Sequence, residues 1–138
     1  RGIVALSGCF GYELDLTKLS KEDKEEIKKQ IEIYKKIWHI VFEGDLYRLI
    51  SPFEESAAAW MFVTEDKKEA VVFYVEVLRS PNPPVRYLKL DGLDPDKKYL
   101  IESEATTKYG DELMNIGILI PQTWGDFNSF MWVLKAVE

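Results

Sequence analysis

Apolar positions first recur with the period of a helix. One stripe repeats at steps of four, three, four and three residues: Ile27, Ile31, Tyr34, Trp38 and Val41. Such a stripe predicts an amphipathic α-helix. Ser20 is a suitable N-cap, Asp23 places negative charge in the first turn, and Gly44 is a suitable end. Because Ile37 and Ile40 widen the stripe, we expect the C-terminal half of this helix to be buried on more than one side.

Beyond Gly44 the pattern becomes that of β-strands. Runs rich in β-branched and aromatic residues cover 46–53, 58–64, 69–79, 85–90, 98–104 and 126–137. Turn residues separate them at 65–68, 80–84 and 91–96. We interpret 105–125 as loop with one short strand. The whole predicts a mainly β fold, an antiparallel β-sandwich preceded by a long helix.

The first 19 residues carry two short patterns. Residues 1–8 suit a helix end or a buried strand, and the alternation over 10–16 predicts a short strand. The chain opens without Met and runs at once into apolar residues. We therefore expect it to continue a longer protein.

The amino-acid composition argues against several classes of function. The chain has 138 residues with 18 basic and 24 acidic side chains, a net charge of −6, and 46% apolar residues. The acidic balance disfavours nucleic acid, and no apolar run approaches the roughly 20 residues of a membrane helix. With one Cys and one His, the chain can form neither an internal disulfide nor a metal site of His and Cys. The expected partner is neutral or a protein.

Several acidic residues are candidates for chemistry. Glu13 and Asp15 are two apart on a predicted strand and share a face, as a pair for glycoside hydrolysis would, but we favour a structural role. Asp91, Asp94 and Asp96 could offer oxygen ligands to calcium, yet their Asp-Gly and Asp-Pro contexts are those of turns. We therefore expect no metal.

Nucleophilic chemistry has little support. Cys9 and His39 could form a nucleophile and base, but 30 residues separate them and nothing marks a third, orienting group. We favour structural roles for both. Asp111 and Glu112 follow Gly110, which suits a loop. No glycine-rich phosphate loop follows a strand.

Four tryptophans raise the question of sugar stacking. Trp60 and Trp132 lie in apolar strand runs, so we expect them to be mostly core. Trp124 lies in a loop of Gln, Thr, Trp and Gly at 122–125. It is the one candidate for substrate contact.

Several phrases together resemble a known family. They are GYELDL at 11–16, GDLYRL at 44–49, SPF at 51–53, AWM at 59–61, PNPP at 81–84, GLDP at 92–95 and GDELMN at 110–115. In this order and spacing they resemble the C-terminal end of family 36 glycoside hydrolases, the bacterial α-galactosidases. The resemblance covers nearly the whole chain.

The resemblance implies an architecture. Family members have an N-terminal β-sandwich, a catalytic (β/α)8 barrel and a C-terminal antiparallel β-sandwich. Residues 1–44 then correspond to the last strand and closing helix of the barrel, with 10–16 as the strand, and 45–138 to the terminal sandwich. The family is retaining and uses two Asp residues, one as nucleophile and one as acid and base. No position here matches either motif, so no catalytic residue is assigned, and Glu13 and Asp15 are not substitutes.

The implied function is that of a parent α-galactosidase releasing terminal α-galactose from melibiose- and raffinose-type sugars. This chain would close and buttress the barrel and hydrolyse nothing alone. We expect no cofactor or metal, neutral galactosides as substrates of the parent, a homo-oligomeric parent, and a bacterial cytoplasmic location. Two alternatives stay open: an autonomous carbohydrate-binding β-sandwich and an oligomerisation module.

Overall fold

The computed structural model describes residues 2–137. Its elements are α1 (Gly2–Leu6), a 3₁₀ helix (Leu16–Lys18), α2 (Lys21–Glu43), β1 (Asp45–Ile50), β2 (Ala57–Val63), β3 (Glu69–Glu76), β4 (Tyr87–Leu88), β5 (Lys98–Ile101), β6 (Thr106–Tyr109), α3 (Gly110–Asn115), β7 (Ile118–Leu119) and β8 (Asn128–Val137). Arg1 and Glu138, the outer ends of the two expected domains, lie outside the described residues.

The long helix α2 begins and ends where its sequence predicts. The Ser20 hydroxyl accepts a hydrogen bond from the Asp23 amide at 3.0 Å, and the Asp23 carboxylate accepts from the Ser20 amide at 3.3 Å. This reciprocal capping box satisfies amides that have no partner inside the helix. At the other end the Gly44 amide donates to the Ile40 carbonyl at 3.0 Å. A Cβ at Gly44 would lie 2.4 Å from that carbonyl oxygen and 2.8 Å from that of Val63, so only glycine fits this exit.

The strands form two antiparallel sheets. The larger has six strands in the order β1-β2-β3-β8-β5-β6, and the smaller pairs β4 with β7. The predicted turn at 65–68 is confirmed, since it joins β2 to β3 with Val63 opposite Ala70. There the Asp66 carboxylate accepts from the Thr64 hydroxyl at 2.8 Å and the Lys68 amide at 3.0 Å.

The two faces of the larger sheet bury different elements. Met61, Val72 and Tyr74 point to one face, against β4, β7 and α3. Val71 and Phe73 point to the other face, against α1 and α2. This alternation is what a strand buried on both faces requires. The predicted fold class, mainly β with an antiparallel β-sandwich after a long helix, is confirmed, and α2 covers the outer face of the larger sheet.

The strand predicted at 10–16 does not form in the described chain. The preceding residues Gly2–Leu6 are α-helical, and Leu16–Lys18 form a 3₁₀ helix. The alternation reflects packing on α2 instead. The rings of Phe10 and Tyr34 lie 5.3 Å apart, and the Tyr12 hydroxyl donates to the Gln30 side-chain amide. Side chains two apart therefore share a face without any strand partner.

The segment 105–125 is more ordered than the sequence predicts. It contains β6, α3 and β7 rather than one short strand in a loop. Helix α3 has six residues, too few for a helical period to be visible. Its Leu113 is buried in the core between the sheets. The predicted strand at 85–90 shrinks to Tyr87–Leu88 because only β7 pairs with it.

Candidate functional site

Trp124 lies at the rim of an open cleft. Its side chain is fully exposed, at 101% of the reference area. The cleft lies between the loop after β3 and the loop before β8 and is lined by residues 79–83 and 122–126. It measures about 480 Å³, within the range of small-molecule sites. The exposure predicted for Trp124 is confirmed, whereas a role in binding is a separate question. We call this feature the Trp124 cleft.

Arg79 lines the Trp124 cleft and belongs to an almost buried ion pair. The Arg79 guanidinium donates to the Glu76 carboxylate at 2.9 Å, and both side chains are almost buried. The Tyr74 hydroxyl donates to the other Glu76 oxygen at 3.4 Å, and burial together with the Glu76 charge raises the pKa of Tyr74. The Arg79 amide donates to the Asp126 carboxylate at 2.8 Å, which ties the two loops together.

Both loops adopt unusual backbone conformations. Asn82 and Phe127 have φ values of 54° and 60°, in the left-handed region, and Gly125 has φ 81°. The Phe127 ring is 78% exposed. Thr123 Oγ1 is buried and has no hydrogen-bond partner in the described part of the chain. Such features carry a free-energy cost and concentrate at functional sites.

The sequence pattern does not bring these two loops together. The Pro-rich loop and Trp124 are far apart along the chain, and only the pairing of β3 with β8 places them side by side. The sequence feature that could have indicated the ion pair was the spacing of Glu76 and Arg79, which are three residues apart at the end of a strand.

Asp15 and Glu13 are not arranged as a catalytic pair. Asp15 caps the 3₁₀ helix, accepting from the Thr17 amide at 3.0 Å and its hydroxyl at 2.6 Å. These hydrogen bonds lower the pKa of Asp15. Glu13 is exposed to solvent. The structural interpretation of Asp15 is therefore supported by its contacts.

The acidic residues of the 91–96 segment hold turns. The Asp91 carboxylate accepts from the Gly92 amide at 2.7 Å, and the Asp94 carboxylate from the Asp96 amide at 3.1 Å. Asp111 accepts from the Glu112 amide in the first turn of α3, not in a loop. Across residues 2–137 no group of three or more His, Cys, Asp or Glu side chains is placed to hold a metal ion.

His39 pairs with an acid rather than with Cys9. Its Nε2 lies 2.8 Å from a Glu69 carboxylate oxygen, whereas Cys9 is an exposed free thiol. The Lys135 ammonium lies 3.4 Å from a carboxylate oxygen of Glu69 and 3.7 Å from one of Glu102. Lys135 therefore links the two acids by ion pairs across the sheet. Partial burial raises the pKa of Glu69, but the hydrogen bond and charge of His39 and the charge of Lys135 outweigh it and lower the pKa. None of the helices that the structure describes is long and apolar enough to cross a membrane.

Helix α2 has a second apolar surface. Ile37, Ile40 and Val41 are buried against the sheet. Trp38 and Phe42 are 46% and 52% exposed, with ring centroids 6.3 Å apart. Ile27 and Ile31 continue this side toward the N-terminus and are partly exposed. The predicted stripe therefore divides: Val41 turns toward the sheet, and Trp38 stays outside. We call Ile27, Ile31, Trp38 and Phe42 the outer stripe.

Comparison with known proteins gives two matches to family models. Residues 57–134 match the glycosyl hydrolase family 36 C-terminal domain, and residues 1–44 match the melibiase family. The first match covers more than half of the chain.

Individual relatives agree with the family matches. The chain is 50% identical over 138 residues to α-galactosidase AgaA of Geobacillus stearothermophilus, covering all of this chain and 19% of that protein. It superposes with a TM-score of 0.93 on the crystal structure of the α-galactosidase AgaB from the same organism, at 52% identity over 99% of this chain and 19% of that one. A variant of AgaA solved in complex with raffinose gives a TM-score of 0.92 at 49% identity, with the same coverage. The chain thus spans about a fifth of the length of these relatives.

Proposed function

The chain belongs to glycoside hydrolase family 36, and from this membership we propose that it is the C-terminal part of an α-galactosidase whose catalytic barrel it closes and buttresses. The observation that carries this proposal is the two-sided burial pattern of α2. One side of the helix packs on the six-stranded sheet, and the other presents the outer stripe.

The inner side of α2 fixes the helix to the sandwich. Ile37 and Ile40 are fully buried and pack with Val71 and Phe73 of β3. Fully burying an aliphatic side chain of this size stabilises a fold by about 1.5–3 kcal/mol. The inner side of the helix is therefore a packed layer on the sheet.

The outer stripe needs a cover. A patch of Trp, Phe and Ile side chains along one helix side is typical of an interaction surface. We propose that the barrel covers it, with residues 1–44 as the end of the barrel domain, α2 as its closing helix, and residues 45–138 as the terminal sandwich. The separate matches of 1–44 and 57–134 to two family models support this division.

The proposed reaction is retaining hydrolysis of a terminal α-galactoside. It needs two carboxyl groups about 5–5.5 Å apart, and we place both in the rest of the parent protein, because the carboxylates of Asp15, Asp91 and Asp94 are engaged in turns here. The raffinose complex of the AgaA variant and the match of residues 1–44 to the melibiase family support raffinose- and melibiose-type substrates. The chemistry uses carboxyl groups and water, so we assign it no cofactor.

The proposal extends to location and assembly. A cytoplasmic location suits the exposed free thiol of Cys9, since such thiols persist in reducing compartments. A homo-oligomeric parent suits Tyr87 and Leu119, which pair across the smaller sheet, are 51% and 46% exposed, and lie outside both the outer stripe and the Trp124 cleft.

The test compares the parent enzyme with this chain alone. The parent should release nitrophenol from 4-nitrophenyl α-galactoside, and the 138-residue chain should not. Trp38→Ala should lower the Tm of the parent by more than it lowers the Tm of the chain alone, because the exposed 46% of the side chain would be covered only in the parent. Ile37→Ala should destabilise both by about 2–5 kcal/mol. Ile116→Ala, at an exposed site outside the stripe, is the matched control.

Three results would contradict the proposal. An inactive parent would refute the galactosidase assignment, and hydrolysis by the chain alone would refute the placement of the carboxyl pair. Equal losses from Trp38→Ala in both proteins would show that the outer stripe is not a barrel contact.

A further inference from the structure

We propose that the Trp124 cleft binds a neutral saccharide, with one sugar ring stacked on the Trp124 indole. The assignment of the saccharide as an α-galactoside rests on the proposed function. The assignment of the cleft as a saccharide site does not.

The full exposure of the Trp124 side chain indicates a ligand-binding role. Tryptophan is among the more buried residues on average, yet this ring is fully exposed and contributes nothing to the described core. The loop accepts a left-handed Phe127 and an unpartnered Thr123 hydroxyl while holding the ring outward. A conformation with these costs persists because two hydrogen bonds hold it. One runs from the Arg79 backbone amide to the Asp126 carboxylate, and the other from the Asn128 side-chain amide to the Gly125 carbonyl at 2.7 Å.

The polar groups of the cleft suit hydroxyl groups. One Asp126 oxygen accepts from the Arg79 amide, which leaves the other oxygen able to accept from a ligand. Asn82 and Gln122 each add an amide that both donates and accepts. A sugar ring presents donors and acceptors around its edge and C–H groups on its faces. It can therefore satisfy these groups while one face covers the indole.

Charge excludes other ligand classes. Arg79 is neutralised by Glu76, and Asp126 adds a further negative charge, so an anionic ligand such as a phosphate is disfavoured. A cation would need a cage of aromatic rings, and among residues 2–137 Trp124 is the only aromatic residue that lines the cleft. A neutral polyhydroxylated ligand remains.

The rigidity of the opposite wall favours binding. Pro81 and Pro83 have fixed φ angles and face the Trp124 loop across the cleft. A volume of about 480 Å³, open to solvent, admits one or two sugar rings of a longer oligosaccharide.

The test follows the Trp124 indole N–H in the ¹⁵N-labelled 138-residue chain during titration with raffinose. Four dispersed indole signals would report a folded chain. We expect a saturable shift of the Trp124 signal, assigned through Trp124→Phe. In Trp124→Ala, followed through the Gly125 amide, the Kd should rise about tenfold, because an aromatic contact contributes roughly this factor. Phe53→Ala, an equally exposed aromatic site outside the cleft, should leave the Kd unchanged within about twofold.

A second measurement uses the parent protein, so that a poorly folded isolated chain does not decide the matter. Native electrophoresis through a gel containing soluble galactomannan should retard the parent and the Phe53→Ala variant equally. The Trp124→Ala variant should be retarded less than either, with the remaining retardation due to binding at the catalytic barrel.

Each outcome supports or overturns one claim. The inference would be overturned by the absence of a saturable shift, by equal retardation of the parent and Trp124→Ala, or by an unchanged Kd in Trp124→Ala. An indole shift that follows protein concentration rather than raffinose would also overturn it, by showing a second copy on Trp124. Nitrophenol release without sugar binding at the cleft refutes only this inference. Binding at the cleft by a parent that releases no nitrophenol refutes only the proposed function.

Discussion

The buried hydroxyl of Tyr99 ties two turns together. It donates to the Lys67 carbonyl at 2.7 Å and accepts from the Asp94 amide at 3.0 Å. Lys67 is in the left-handed region at the tip between β2 and β3, and Asp94 belongs to the turn before β5. Tyr99→Phe keeps the ring and removes both bonds, so it measures the tie without leaving a large cavity.

The expected loss of stability in Tyr99→Phe follows from the two hydrogen bonds that it removes. Each hydrogen bond contributes about 0.5–1.5 kcal/mol net, and a partner left unsatisfied costs about 1–3 kcal/mol. The Lys67 carbonyl lies at an exposed turn, where water can replace the lost donor, whereas Asp94 is only partly exposed. We therefore expect a loss of about 2 kcal/mol. The entropy of unfolding typical of 138 residues, roughly 0.29 kcal/mol/K, converts this into a fall in Tm of about 7 °C.

Calorimetry and urea titration of Tyr99→Phe provide the measurement. Tyr109→Phe is the matched control, because its ring is half exposed and its hydroxyl makes no hydrogen bond to any residue from 2 to 137. A loss below about 0.5 kcal/mol, or equal losses in the two variants, would refute the view that Tyr99 holds the turns together.

Two further predictions concern a glycine and an acid. Gly92→Ala should destabilise the chain by more than about 1 kcal/mol in urea, since φ is +73° and the new Cβ would lie 2.2 Å from the Tyr47 ring; Gly8→Ala, in open space, should change little. Because the pKa of Glu69 is lowered in the folded state, the unfolded chain binds its proton first, and stability should fall as pH drops below about 4.5. In thermal melts between about pH 5 and 3, Glu69→Gln should show a smaller fall in Tm than the unmodified chain, whereas the exposed Glu65→Gln should show the same fall. An equal fall in Tm in all three proteins would contradict the role of Glu69.

Local sequence signals determined the boundaries of α2 well. Capping by Ser20 and Asp23 acts within one helical turn, and the exit at Gly44 depends on its immediate neighbours. Such interactions need no knowledge of the rest of the fold. The turn between β2 and β3 was predictable for the same reason.

Signals that depend on distant partners were less informative. The alternation around Phe10 and Tyr12 was real, but the partner proved to be α2 rather than a strand. Exposure of Trp124 could be predicted from its loop, whereas the cleft could not, because it requires the loop after β3 and the loop before β8 to meet. The hydrogen bond between His39 and Glu69 joins residues 30 apart, and no local pattern marks it.

The burial pattern of α2 indicates whether the proposed division near residue 44 separates two structurally independent units. Val71 and Phe73 are fully buried; Trp60 and Phe62 pack beside Phe73 within the sheet, and α1 and α2 lie over this face. Removing residues 1–44 would expose these side chains and Val133, each losing about 1.5–3 kcal/mol of burial. A loss of that size is comparable to the whole stability of an ordinary domain. The helix that we propose as the end of the barrel is therefore also a structural layer of the sandwich, and the two units share α2 rather than meeting at a linker.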